Sequence, residues 1–238
     1  MPETQLRQPR ADDGVRAAVR VLLASRDHMS TERTATINAL TSLLRVSDLG
    51  IDARHPLTAA QITTITGWRT RNEELALATA RWEATRLAKR VSTLDEELKQ
   101  ITKRITDLLR QSPAHALLEQ PGIGPVTAAL ALTAWSHLGR IRSEAAFASL
   151  AGVNPIPASS GNTVRHRINR GGDRRLNRAL HMAVVTRMRM DPRTRAYVQR
   201  RTAQGRTLRE IRRCLKRYLA RDIYRRLNAT TGTQPSNA

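Results

Sequence analysis

Gly152-Val-Asn-Pro-Ile-Pro-Ala-Ser-Ser-Gly-Asn-Thr-Val-Arg-His-Arg-Ile-Asn-Arg-Gly-Gly-Asp-Arg-Arg-Leu176 is the one long stretch of this chain in which the helical pattern stops. Prolines and glycines interrupt it, two adjacent serine hydroxyls precede its middle glycine and arginines crowd its second half. Apolar residues at helical spacing flank it on both sides, so the segment reads as a loop exposed to solvent and anchored at both ends. The rest of the chain reads as helix, and the expected fold class is all-α.

On the carboxy-terminal side, Gly171-Gly172-Asp173 is expected to close the loop and cap a helix carrying Leu176, Leu180, Val184 and Met188. Asp191-Pro192 breaks that helix. A last helix starts at Thr207, where Glu210 completes a capping box. Its expected inner face is Leu208, Ile211, Leu215 and Leu219, and its outer face carries Arg209, Arg212, Arg213, Lys216, Arg217 and Arg221. Residues 229–238 read as a polar, disordered tail.

On the amino-terminal side, Ser143-Glu144 caps a short helix through Phe147 and Leu150. Before it lies Pro121-Gly-Ile-Gly-Pro125 between two apolar helical segments, the first of which starts at the Ser112-Pro113 cap. Two readings of that turn stand. Gly122 and Gly124 can bring backbone N–H groups at a helix start up to a phosphate, or the turn is a tight helix corner with no ligand.

Further upstream, Leu77, Ala80, Ala84, Leu87, Val91, Leu94, Leu98, Ile101, Ile105 and Leu108 alternate by three and four residues, which defines a heptad seam. The seam is expected to join two copies of the chain as a coiled coil, making a homo-oligomer, or to form a long hairpin against the chain's own first helix. That first helix, or pair of helices, spans Asp12 to about Leu44. A break at Ser47–His55 and a short helix at Thr58–Thr66 follow. The expected organisation is a helical region 1–66, a coiled coil 67–111, a helix-hairpin-helix domain 112–228 with the loop 152–173, and the tail 229–238.

Charge narrows the partner. The formal net charge is +21. Residues 161–226 hold 21 Lys and Arg against 4 Asp and Glu, whereas residues 1–139 hold 18 against 15. Such an excess calls for a polyanion, and nucleic acid comes first. The longest apolar run, Val126 to Trp135, is about half the ~20 residues of a membrane span, so no membrane partner is expected. The first residues lack the apolar core of a signal peptide, which points to the cytoplasm. The single cysteine, Cys214, excludes an internal disulfide and a cysteine-cluster metal site.

Within the loop, Ser159 and Ser160 are candidate nucleophiles toward a phosphodiester. Serine is weak in that role unless a base or strong positive surroundings assist it. Arg165, Arg167, Arg170, Arg174 and Arg175 can supply the surroundings, and His166 reads as a phosphate contact or a bystander. On chemistry alone, Ser-Ser-Gly is equally a plain turn.

Four motifs in order carry a resemblance: Pro121-Gly-Ile-Gly-Pro125, Phe147-Ala-Ser-Leu-Ala-Gly-Val-Asn-Pro155, Ser159-Ser-Gly161 and Ile168-Asn-Arg-Gly-Gly-Asp-Arg-Arg-Leu176. Together they resemble the carboxy-terminal half of the insertion-sequence transposases of the 110/116/902 type, closely over about residues 112–190. The resemblance implies a DNA recombinase in which the serine before the glycine, here Ser160 with Ser159 as runner-up, links covalently to DNA. It further implies a structured guide RNA as a partner in some members, and an amino-terminal RNase H-like domain with four acidic metal ligands. No alternating strand pattern with embedded acids precedes the helices, and Asp12-Asp13 cannot form a two-metal site. The expectation is therefore a truncated copy with no cofactor of its own, the divalent metal belonging to the missing domain. The alternatives are a non-catalytic nucleic-acid-binding remnant and a coiled-coil assembly factor.

Overall fold

The computed structural model describes residues 9–10, 14–69, 71–159 and 166–231. It is almost wholly helical, as expected, with one small hairpin of strands. The chain forms two compact units, residues 24–104 and residues 1–23 with 105–238.

The unit 24–104 is built from α1 (Gly14–Val46) from residue 24 onward, α2 (Ala59–Thr66) and α3 (Leu75–Arg110) as far as residue 104. Thr58 caps α2 through a reciprocal box with Gln61. Leu40 and Leu44 of α1, Ile62 and Ile65 of α2, and Ala84, Leu87, Ala88 and Val91 of α3 share one buried cluster. Arg33 pairs with Asp95 and Arg90 with Glu32. Later residues of α1 thus meet earlier residues of α3, and the two helices run antiparallel.

The seam is therefore covered by the chain's own first helix between Ala84 and Leu94, all of whose seam residues are buried. This corrects the expectation that these side chains face a second copy. A heptad period states that a stripe is packed but does not say by whom, and the partner nearest in sequence has the smaller ordering cost.

One ion pair in this unit is largely buried. Arg81 donates from Nε and Nη2 to both oxygens of Glu73, at 2.7 and 2.5 Å. The guanidinium also lies 5.0 Å from the centroid of the Trp68 ring. The hydrogen bonds from Arg81 hold the Glu73 carboxyl below its ordinary value of 4.5. A depressed folded-state value makes the pair's contribution complete above the unfolded value and lost as pH falls through the folded one. Glu73→Gln should thus lower the melting temperature of this unit at pH 7, and the gap to wild type should close as the pH drops below about 4.5. A gap that stays constant down to pH 2 would contradict this.

The second unit contains α4 (His115–Leu118), α5 (Pro125–Trp135), α6 (Glu144–Leu150), β1 (Pro155–Pro157), β2 (His166–Ile168), α7 (Arg174–Met190), α8 (Pro192–Ala203) and α9 (Leu208–Thr231). The helix expected from Ser112 is only the single turn α4, because the Ser112 hydroxyl accepts from Ala114 N–H and closes a tight turn first. At the break expected after Met190, Asp191 instead caps a further helix, α8, with Pro192 in its first turn. Proline ends a helix behind it and starts one ahead of it with equal ease.

The alanine-rich helix α5 is the centre of this unit and packs on α7 and α9. Its Ala128, Ala129, Ala131, Leu132, Ala134 and Trp135 are buried, and small side chains let the neighbouring helices approach. With few aromatics available, the buried Trp135 fills the largest volume, and its Nε1–H donates to Asn228 Oδ1 on α9 at 2.9 Å. The last helix is fastened to α6 by Arg221 on Glu144, at 2.5 Å, and to the segment just before α6 by Tyr224 O–H donating to Ile141 O at 2.6 Å. Its expected inner face holds at Ile211 and Leu219, but Leu208 is half exposed, since it lies at the free start of the helix. Residues 229–231 continue α9, and the remainder of the expected tail lies outside the described residues.

Candidate nucleic-acid interface

The serine loop begins where α6 ends. Gly152 takes a left-handed conformation, φ +65°, which lets its N–H reach Ser149 O and lets Val153 N–H reach Ala148 O, both at 2.9 Å. This paired arrangement ends the helix and turns the chain outward. β1 then pairs antiparallel with β2, Pro155 opposite Ile168 and Ile156 opposite Arg167. The two prolines of β1 cannot donate to the ladder, and a two-stranded ribbon alone is marginal in water. What holds the hairpin lies at its base.

There the incoming and outgoing strands cross glycine on glycine. A Cβ on Gly172 would lie 2.2 Å from Gly152 N and 2.3 Å from its Cα. Asn169 Nδ2 donates to Ser149 O and to Asn154 Oδ1, and its Oδ1 accepts from Gly171 N–H. Asp173 N–H reaches Leu150 O at 2.7 Å, while the Asp173 carboxylate caps α7 through Arg175 and Leu176 N–H. Asn177 Nδ2 completes the base by donating to Ala151 O at 2.8 Å and Gly152 O at 3.0 Å. The loop is thus a hairpin fastened at its root to the end of α6 and the start of α7.

Ser159, directly after β1, is exposed, and Ser160 and Arg165 lie outside the described residues. His166 and Arg167 are exposed on β2, Arg170 follows them, and Arg174 and Arg175 occupy the exposed first turn of α7. The glycine turn is elsewhere. Gly122 (φ +73°) faces the backbone of α7 at Ala183, and Arg187 Nε donates to Pro121 O at 2.7 Å. Gly124 caps α5 in the open. Asp173 and Ala183 are ten residues apart on α7, or about 15 Å, so the glycine turn and the serine loop do not form one cluster.

The structure brings to the loop a set of residues that its sequence did not. A cleft of about 440 Å³ opens between the hairpin base and the helices α8 and α9. Val153, Pro155, His166 and Arg167 line one wall, and Arg201, Arg206, Ile211, Arg213, Lys216 and Arg217 line the other. The one carboxylate there, Glu210, is engaged by Thr207 N–H at 2.9 Å and lies 3.8 Å from Arg206. Arg213, Lys216 and Arg217 therefore face the hairpin as well as solvent, because the start of α9 lies across the loop's root. Burial and neighbouring Arg213 push the Lys216 ammonium below its ordinary value. Burial, with Lys216 and Arg212 nearby, does the same to His181 on α7. Among the described residues no three His, Cys, Asp or Glu side chains could together hold a metal ion, and no helix is long and apolar enough to cross a membrane.

Fold and site together define a class: a strongly basic helical module that presents a root-anchored hairpin beside a cationic cleft. Residues 114–199, about a third of the chain, match the family described as Transposase IS116/IS110/IS902 family. The chain is similar to the "Insertion element IS110 uncharacterized 43.6 kDa protein" of Streptomyces coelicolor, at 32% identity over 51% of this chain and 30% of that one. It is also similar to the "Insertion element IS900 uncharacterized 42 kDa protein" of Mycobacterium paratuberculosis, at 26% identity over 82% of this chain and 60% of that one. The chain thus spans less than two thirds of either curated relative.

Proposed function

We propose that residues 112–228 are the DNA-handling and strand-transfer part of an insertion-element transposase. The observation that carries this reading is the placement of a serine-bearing hairpin, fixed at its root, beside a cleft whose cations far outnumber its acids. In the proposed step the Ser160 Oγ attacks phosphorus. The Oγ–P bond forms, one strand's P–O bond breaks, and the serine proton, relayed by a base or by water, ends on the freed strand's oxygen, which leaves as a hydroxyl. Arg165, Arg167, Arg170, Arg174 and Arg175 hold the backbone and stabilise the charge that builds up at phosphorus. Arginines in the first turn of α7 oppose the helix dipole, an arrangement that stabilises no fold but raises the potential felt by an anion.

The turn at Gly122 and Gly124 is proposed as a helix-hairpin-helix in which Gly124 and the exposed start of α5 meet a second phosphate. Contacts of this kind position DNA without reading its bases. A structured RNA of the element is a further proposed partner for the same charge, and self-association is proposed to use surface other than the covered seam. The divalent metal that the resemblance implies belongs to the family's acidic domain, and no step here passes through one.

The test is covalent capture on element-end DNA, with an RNase H-like domain of the family supplied separately. Ser160→Ala should abolish the protein–DNA adduct resolved on a denaturing gel, and Ser159→Ala should retain it. Undiminished adducts in Ser160→Ala would overturn the assignment. The cationic cleft would by itself fit a second reading, a non-catalytic nucleic-acid-binding protein. That reading predicts binding that weakens steeply with salt and no adduct in any variant.

A further inference from the structure

Among 41 basic residues the chain has only four lysines, Lys89, Lys99, Lys103 and Lys216. Every other cation after Lys103 is an arginine, and the exception lies in the cleft at the root of the serine loop. Arginine offers a planar fork suited to broad, paired contacts, whereas lysine offers a compact point charge with three donors. Lys216 is partly buried, and its Nζ donates to Asn177 Oδ1 at 2.9 Å. Among the described residues it has no carboxylate partner, while Arg213 and Arg217 share the wall with it. A cation drawn out of water among other cations, with donors left over, is unfavourable until an anion arrives. The same Asn177 holds Ala151 O and Gly152 O through its Nδ2, so one amide ties the ammonium to the first carbonyls of the loop.

We propose that the cleft between the hairpin and α9 seats one DNA backbone phosphate at the root of the serine loop, that Lys216 is its direct contact, and that Asn177 is the residue positioning that ammonium. This rests on the reading of residues 112–228 as a DNA-handling module and adds to it a specific phosphate site in which Lys216 of α9 stands across the cleft from the loop's Arg167. The phosphate site lies on the α9 side of the hairpin root, between β2 and α9. Asn177 makes the site responsive to the loop: displacing the loop root moves the amide, and with it the ammonium.

Lysine labelling tests this on the unmodified protein. The chain is treated with an amine-acetylating reagent with and without duplex DNA of an element end, and each lysine is read by mass spectrometry. With DNA at ten times its Kd, labelling of Lys216 should fall about tenfold, as the free fraction does. Lys89, Lys99 and Lys103 on α3 serve as comparators and should change by less than about twofold at that same saturation. Equal labelling of Lys216 with and without DNA overturns the site. Lys216→Ala should reduce the slope of log affinity against log salt by about 0.9, the loss of one phosphate contact. In the Lys216→Ala background, Asn177→Ala should cost only what its anchors to Ala151 O and Gly152 O contribute, a smaller loss than it causes in wild type, whereas equal losses in both backgrounds would show that Asn177 acts independently of Lys216 and overturn its positioning role. Salt-sensitive DNA binding by wild type with Lys216 unprotected defeats this inference alone, and absence of DNA binding defeats the functional reading with it.

Discussion

Gly172→Ala should unfasten the serine loop and lower the stability of its unit by about 3 kcal/mol, the upper part of the range for overpacking. The methyl group would lie 2.2 Å from Gly152 N, 2.3 Å from Gly152 Cα and 2.9 Å from Ala151 C. All three are backbone atoms, and they belong to a turn whose own hydrogen bonds close α6. No side chain can swing away to make room. Relief requires that α6 and the start of α7 separate, which would break the bonds Asp173 N–H to Leu150 O and Asn177 Nδ2 to Ala151 O. For a unit of this size each kcal/mol corresponds to roughly 2–4 °C, so the melting temperature should fall by roughly 6–12 °C. Because the chain has two units, a single melting curve can blur the effect. Hydrogen exchange resolves it: amides of α6 and the first turns of α7 should lose protection while those of residues 84–94 in α3 keep theirs. A variant that melts like wild type with protection intact at Leu150 and Asp173 would refute the crossing.

Gly122→Ala should destabilise the same unit by about 2–4 kcal/mol, from two separate causes. An L-residue in the left-handed region costs about 1–2 kcal/mol. The added Cβ would also lie 2.7 Å from Ala183 O and 3.1 Å from Arg187 Cγ. The arginine side chain can move, but the carbonyl belongs to the buried middle of α7. Burial already holds the Arg187 guanidinium below its ordinary value, and its Nε–H anchors Pro121 O. Gly124→Ala is the matched comparison. Its backbone is extended and a Cβ there meets nothing within 4 Å, so its stability should stay within about 0.5 kcal/mol of wild type. Thermal denaturation of the pair decides between packing and ligand as the reason for the first glycine. Equal stability of the two variants would remove the packing account.

The helix starts were legible because a cap is a local device. Ser143, Asp173, and Thr207 with Glu210 each bond within three residues of themselves, and each stands in the structure where spacing put it. The strands were not legible. Pro155 and Pro157 argue against a strand, and the ribbon exists because the residues at its root tie it down. The start of α8 was hidden for a related reason, since Asp191-Pro192 looks the same as an end and as a beginning. The heptad seam was read correctly as a packed stripe and its partner was not settled, because Leu40 and Leu44 lie some forty residues away and nothing in a period names them.

The candidate site divides the same way. Composition placed the positive charge in the last third of the chain, and the four ordered motifs singled out Ser160, its neighbour Ser159 and the loop arginines. The crossing of Gly152 and Gly172 and the bridge Asn177–Lys216 join residues 20 and 39 positions apart. By itself the amino-acid sequence determined where several of the helices start, that the chain is mostly helix, and that its positive charge is concentrated in the carboxy-terminal third, because each depends on near neighbours or on totals. Only the tertiary structure decided what covers the seam, which glycine is held against α7, and which cations gather at the loop's root. Those outcomes depend on which distant faces close over one another, a choice made by packing.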